Sequence, residues 1–169
     1  VPDCYQGTEI ADFSMVDPDN RRSVDLAGHA EVLNAPASDE TGFGSLGAGK
    51  KLKVIRSLLA LRARHPRLFA EGDYVPIAVQ GQRASNVIAF ARMHQKLSAV
   101  VVAQLRCSDG LYSGIVAPKS WWGDTHAVDL SAPLQLLLPQ EESIELSVPN
   151  VGMLLARDCA VVALGPAEF

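Results

Sequence analysis

The strongest constraint on the fold is a change of pattern near residues 69–72, where a helix ends and a series of short apolar runs begins. Apolar residues recur at helical spacing over 50–65, and Pro66 ends this helix because proline cannot continue its hydrogen-bond ladder. After Gly72, turn residues separate apolar runs at intervals of about ten residues, which is typical of antiparallel strands. The pattern predicts an α+β chain with a helical first part and a β-rich second part.

The predicted boundaries follow these signals. We expect two parts, residues 1–69 and residues 70–169, the second an antiparallel β-sandwich. Asp25 is expected to cap a short helix ending near Leu33, ahead of the helix over 50–65. The strands are predicted over seven runs, 74–79, 87–91, 99–105, 127–130, 134–138, 144–148 and 160–164.

Composition excludes several classes of protein. With 169 residues, 48% of them hydrophobic and 20% charged, the chain is long enough to bury a core. Its net charge of −4 gives no overall basic field, so we expect no nucleic-acid partner. The longest aliphatic run, residues 99–103, is too short to cross a membrane. The three cysteines form no CxxC pair, which favours free thiols and a cytoplasmic location. The chain begins at Val1, and we expect it to be cut from a longer one.

Two glycine patterns point weakly to phosphate binding. Residues 42–47 match GxGxxG, and residues 44–51 match a P-loop except for Lys51, which replaces the Ser or Thr that binds magnesium. Both motifs need a buried strand in front of the loop, and residues 35–41 are polar instead. A flexible loop is favoured, with a phosphate-binding module left as a hypothesis. The four histidines lie in separate segments without metal-ligand spacing, so no metal ion is expected.

Two further segments have both a structural and a binding interpretation. Trp121 and Trp122 are able to stack on a sugar ring, although packing at the end of a strand is more common. The loop over 17–22 is the most unusual segment, and its carboxylates, amide and guanidiniums suit either a polyhydroxylated ligand or a salt-bridged turn. Its candidate binding residues are Asp17, Asp19, Asn20, Arg21 and Arg22.

Two N-terminal motifs also carry a family resemblance. Residues 2–9 read Pro-Asp-Cys-Tyr-Gln-Gly-Thr-Glu, and residues 16–22 read Val-Asp-Pro-Asp-Asn-Arg-Arg. In this order they resemble the maltooligosyl trehalose synthases of the alpha-amylase superfamily, with further collinear matches over 58–69, 122–125 and 154–164. Ser23 departs from the family, which usually has proline there, and this substitution would loosen the loop.

The resemblance implies a fold class. The chain would be the last strand and helix of a TIM-type (β/α)8 barrel, followed by an antiparallel β-sandwich. One strand cannot close a barrel, so the helix over 50–65 needs a cover. That cover would be the missing barrel segment or a second copy of the chain.

The resemblance also implies a function. Members convert the reducing-end α-1,4 linkage of a maltooligosaccharide into an α,α-1,1 linkage, without a cofactor. The family's catalytic carboxylates would precede Val1, so no catalytic residue is expected here, and the loop over 17–22 would bind substrate. Tyr5, Gln6 and Glu9 would support that loop, or pack in the barrel core. The alternative is a non-catalytic β-domain that binds glucan or another protein.

Overall fold

The computed structural model describes residues 5–10, 14–15, 17–19, 21–34, 48–107, 117–128, 133–138, 142–145, 151, 155 and 160–166. The chain divides into two compact units, residues 1–59 and 60–169. The described helices are α1 (Leu26–Asn34), α2 (Ala48–Arg64) and α3 (Pro66–Ala70), with short 3₁₀ helices at Ala84–Asn86 and Lys119–Trp122. The described strands are β1 (Asp73–Pro76), β2 (Val79–Gln80), β3 (Val87–His94), β4 (Leu97–Gln104), β5 (His126–Ala127), β6 (Pro133–Leu138), β7 (Glu142–Glu145) and β8 (Ala160–Pro166).

The helices begin and end at residues with a clear physical reason. The Asp25 carboxylate accepts a hydrogen bond from the Gly28 amide at 2.9 Å, so it caps α1 as the sequence predicts. α2 ends at Arg64, next to Pro66, which confirms the predicted helix and its stop. Pro66 also begins α3, because its missing N–H costs nothing in the first turn of a helix.

A six-stranded antiparallel sheet forms the centre of the second unit, with the strand order β1-β3-β4-β8-β6-β7. β3 and β4 pair over their full lengths, from Val87 opposite Gln104 to His94 opposite Leu97. β2 and β5 pair separately as a two-stranded antiparallel sheet. Successive side chains of a strand point to opposite faces of the sheet, and two residues paired across neighbouring strands point to the same face.

The core of this unit lies on one face of the β3–β4 pair. On this face each small residue of β3 lies opposite a larger residue of β4: Ala89 opposite Val102, and Ala91 opposite Val100. Trp122 is fully buried in the same cluster, which also includes residues of β5 and β8. The indole therefore packs in the core and does not present a surface for sugar stacking.

The fold is mixed α and β with an antiparallel sheet, as predicted at that level. Residues 5–10 form turns and bends, while residues 1–4, where the barrel strand would begin, lie outside the described part of the chain. The barrel unit, the two-layered sandwich and the domain boundary at residue 69/70 stay predictions. The glycine-rich residues 42–47 also lie outside the described part. Among the described helices, none is long and apolar enough to cross a membrane.

Gly81 tests the packing of the two-stranded sheet against its neighbouring turn. Its φ is +107°, and a Cβ atom there would lie 2.6 Å from the Thr125 Cα atom, so backbone must move to admit it. We expect Gly81→Ala to lower the free energy of unfolding by about 1–3 kcal/mol in chemical denaturation. The control is Gly49→Ala in α2, where a Cβ atom meets Val32 at an ordinary 3.4 Å. Equal stability of the two variants would contradict the packing.

Candidate functional site

The loop around Asp19 is held by its own side chains. One oxygen of the Asp19 carboxylate accepts a hydrogen bond from the Met15 amide at 2.8 Å, and the other pairs with the Arg22 guanidinium. Arg22 Nε also donates to the Asp19 carbonyl at 3.0 Å. A backbone bond from the Arg21 amide to the Pro18 carbonyl, at 3.1 Å, closes the turn between them. The carboxylate therefore fixes both the backbone of the turn and the direction of Arg22.

A second ion pair lies on the same loop. Arg21 and Asp17 form a two-point contact, in which Arg21 Nη2 donates to Asp17 Oδ2 at 2.9 Å. The Arg21 and Arg22 side chains are 75% and 68% exposed, so solvent screens both pairs and neither adds much stability. The salt-bridged turn, one of the two alternatives that the sequence left open, is thus present.

The hydrogen bond from the Met15 amide is the main reason that the pKa of Asp19 lies below its ordinary value of 3.8. The Arg22 side chain adds to this lowering, by hydrogen bonding and by its charge. A lowered pKa means that the carboxylate holds its contacts above that pKa and loses them as the pH falls through it. The loop is therefore in its paired state at neutral pH.

A polar cavity of about 240 Å³ lies in the first unit beside this loop. The lining residues of polar type are Tyr5, Gln6, Thr8, Ser14, Arg22, Ser23, Asp25 and His29. Residues that carry hydroxyl, amide, carboxylate, imidazole and guanidinium groups therefore border one space. Such a set is able to donate and accept hydrogen bonds around a polyhydroxylated ligand.

Of the predicted site residues, Arg22, Tyr5 and Gln6 line this cavity, and Asp19 holds Arg22 in place. Asp17 and Arg21 are not among its lining residues and pair with each other. Asn20 lies outside the described part of the chain. The predicted binding residues therefore separate into a group at the cavity and an exposed ion pair.

Glu9 supports the turn that precedes the loop. Its carboxylate accepts a hydrogen bond from the Gly7 amide at 2.8 Å, and His29 Nδ1 lies 3.7 Å from the same oxygen. The Thr8 hydroxyl closes the turn by donating to the Tyr5 carbonyl at 2.7 Å. Sequence reasoning missed His29, and the available signal was its position one turn after the capping Asp25 in α1. No group of three potential metal ligands is found among the described residues.

The pH dependence of the Met15 amide reports directly on Asp19. We expect its NMR chemical shift to titrate with a midpoint below 3.8, because the hydrogen bond to the carboxylate lowers the pKa. Arg22→Ala should move this midpoint upward, and Asp19→Asn should abolish the titration while leaving an oxygen acceptor. A midpoint at or above 3.8 in the unsubstituted chain would show that the contact does not form.

The chain is similar in sequence and in fold to known proteins. No protein-family model matches it. Two curated proteins of Mycobacterium tuberculosis, from strains CDC 1551 / Oshkosh and ATCC 25618 / H37Rv, are each named "Putative maltooligosyl trehalose synthase". Each is 35% identical to the chain over 150 residues, a match that covers 82% of this chain and 18% of the relative.

The fold gives the same relationship. The structure of maltooligosyltrehalose synthase from Arthrobacter ramosus, and that of a point mutant of it, superpose with a TM-score of 0.72 at 30% identity. The match covers 97% of this chain and 20% of each solved chain. The chain thus spans about a fifth of the length of the proteins that it matches. By sequence and by fold, its relatives are maltooligosyl trehalose synthases, and it matches a part of each.

Proposed function

We propose that this chain is the C-terminal part of an intramolecular transglucosylase. The complete protein would convert the reducing-end α-1,4 linkage of a maltooligosaccharide into an α,α-1,1 linkage. The names of the relatives and the superposition with a maltooligosyltrehalose synthase support the reaction class. The role proposed for this chain rests on one observation: Arg22, which is ion-paired with Asp19, is a lining residue of the polar cavity.

The chemistry is that of a retaining glycosidase with a different acceptor. One carboxylate attacks the anomeric carbon of the penultimate glucose, and a second donates a proton to the departing glucose. The freed glucose then attacks the glucosyl-enzyme through its own anomeric hydroxyl, which returns its proton to the second carboxylate. Both carboxylates are proposed to lie outside this chain, so none of its own residues is a catalytic acid or nucleophile.

The loop would bind the sugar while the linkage changes. The departing glucose must stay in the site and turn, since its loss or the entry of water gives hydrolysis instead. The fixed Arg22 guanidinium and the neighbouring Gln6 amide offer donors for sugar hydroxyls at the cavity wall. A guanidinium ordered in advance by Asp19 holds a ligand at a smaller entropic cost than a mobile one.

The exposed apolar side chains of α2 support a place in a longer protein. Leu59 is 51% exposed and Leu58 is 38% exposed, although both belong to the apolar pattern of the helix. Burying such side chains is favourable, so a further element is expected to cover them. We assign that cover to the remainder of the enzyme, with a second copy of the chain as the competing occupant.

Arg22→Ala in the longer enzyme tests the binding role of the loop. We expect the ratio of trehalosyl product to released glucose to fall about tenfold or more, because a charged hydrogen bond to the retained sugar is lost. Products are measured by chromatography from one purified maltooligosaccharide. Arg56→Ala is the control, since Arg56 is an exposed arginine on α2 outside the cavity. An unchanged ratio in the Arg22 variant would overturn the assignment.

Leu59→Glu tests the cover of α2. In the longer enzyme a charge at this position should lower the melting temperature, since it would be buried without a partner. In the chain of 169 residues the same change should leave the melting temperature nearly unchanged, because the position is exposed. Equal effects in the two proteins would contradict the proposed cover. A concentration-dependent dimer that Leu59→Glu disrupts would favour the second copy instead.

A further inference from the structure

A groove of about 440 Å³ lies in the second unit, between the start of α3 and the turn that joins β3 to β4. Leu68 and Leu97 contribute apolar lining, and Leu68 is buried. The polar and basic lining consists of His65, Arg67, His94, Gln95 and Lys96. The lining residues include no acidic one, and all of them lie in the described range 48–107. In a chain with a net charge of −4, Arg67 and Lys96 bring two cationic residues to the lining of this groove, whose exposed surface is otherwise mainly apolar.

Hydrogen bonds to backbone carbonyls order one wall of the groove, and a tight turn forms the other. The Arg92 guanidinium on β3 donates to the Phe69 carbonyl at 3.1 Å and so ties α3 to the sheet. The Glu71 amide bonds to the Arg67 carbonyl at 2.8 Å and ends the short helix. On the other wall, Gln95 has a φ of 55° in the two-residue turn between the last paired residues of β3 and β4. The basic side chains therefore extend from a frame that is already ordered.

A carboxylate of the chain itself already meets this donor set. Glu71 Oε2 lies 3.5 Å from His94 Nε2, and the Glu71 side chain is 60% exposed. An exposed carboxylate at this distance is held weakly and is free to move away. Glu71 would therefore compete with an anion that bound beside His94.

From this arrangement we infer that the groove is a binding site for the phosphate group of a small molecule. Arg67 and Lys96 both line the groove. A guanidinium offers a planar fork of donors and an ammonium a point charge, and both bind phosphate oxygens. Each imidazole adds at least one N–H when neutral, and two when protonated. The volume admits a phosphate with a small organic group attached. The groove belongs to the second unit and uses no residue of the loop over 17–22, so the inference does not depend on the proposed function.

Isothermal titration of the chain of 169 residues at low ionic strength tests the site. Inorganic phosphate and a sugar phosphate are the two probes, and tighter binding of one identifies free phosphate or a phosphate ester as the ligand. Arg67→Gln and Lys96→Gln should each weaken binding about tenfold, because each removes a charged hydrogen-bond donor. Glu71→Gln should strengthen binding severalfold, because it removes the competing carboxylate.

Lys119→Gln is the matched control, since Lys119 is an exposed lysine of the same unit outside the groove. Its affinity should equal that of the unsubstituted chain. Amide NMR shifts caused by the probe should concentrate at residues 65–68 and 94–97, which confirms the place of binding. Absence of saturable binding, or an equal loss in Lys119→Gln, would overturn the proposal. Equal binding of citrate would overturn the assignment to phosphate, since charge alone would then explain the affinity.

Discussion

The full-length pairing of β3 with β4 is the contact on which the second unit depends. Its register places Ala89, Ala91, Val100 and Val102 on one face, where they pack in the core with Trp122. β1 pairs with the outer edge of β3, and β8 pairs with β4 and joins it to β6. The same hairpin carries the turn at residues 94–97 that forms one wall of the basic groove. This hairpin therefore supplies one face of the core, the pairing edges for β1 and β8, and one wall of the basic groove.

The candidate sugar site is built in a different way. It depends on contacts between residues close in sequence, in which Asp19 receives the Met15 amide and pairs with Arg22. Glu9 serves the preceding turn through the Gly7 amide. Because such contacts are exposed and local, they add little to global stability, but they determine where a guanidinium points. The sheet therefore supplies most of the stability, while the proposed ligand contact lies in a short loop that is ordered by its own side chains.

The sequence predicts the local features of this structure well. Asp25 caps the start of α1 and Pro66 follows the end of α2, and both predicted helix ends are confirmed. Each depends only on residues within about one helical turn. For the loop over 17–22 the sequence left two alternatives open, a ligand-binding loop and a salt-bridged turn, and the ion pairs of that turn are present. The resemblance to maltooligosyl trehalose synthases followed from two specific motifs, at residues 2–9 and 16–22, and the sequence and fold comparisons give relatives of that name.

Contacts between distant residues were beyond this reasoning. The register shift between β6 and β8 near Leu136 has no local signal, since it depends on which strand each run meets. Trp122 had two interpretations until its neighbours were known, and its burial selects the core. His29 joined the site only when α1 brought it beside Glu9, twenty residues earlier. The basic groove has the same origin, because its two walls, residues 65–68 and 94–97, are separated along the chain by β1, β2 and most of β3.

The most direct measurement for the central claim is the fate of the reducing end when the longer enzyme acts on a purified maltooligosaccharide. Proton NMR follows the reducing-end anomeric signals and free glucose in the same sample. If the enzyme is an intramolecular transglucosylase, the reducing-end signals disappear, a new α,α-1,1 anomeric signal replaces them, and little glucose is released. Glucose release equal to the loss of reducing ends would show hydrolysis, and unchanged signals would show no action on this substrate. Either result would contradict the proposed transglucosylation.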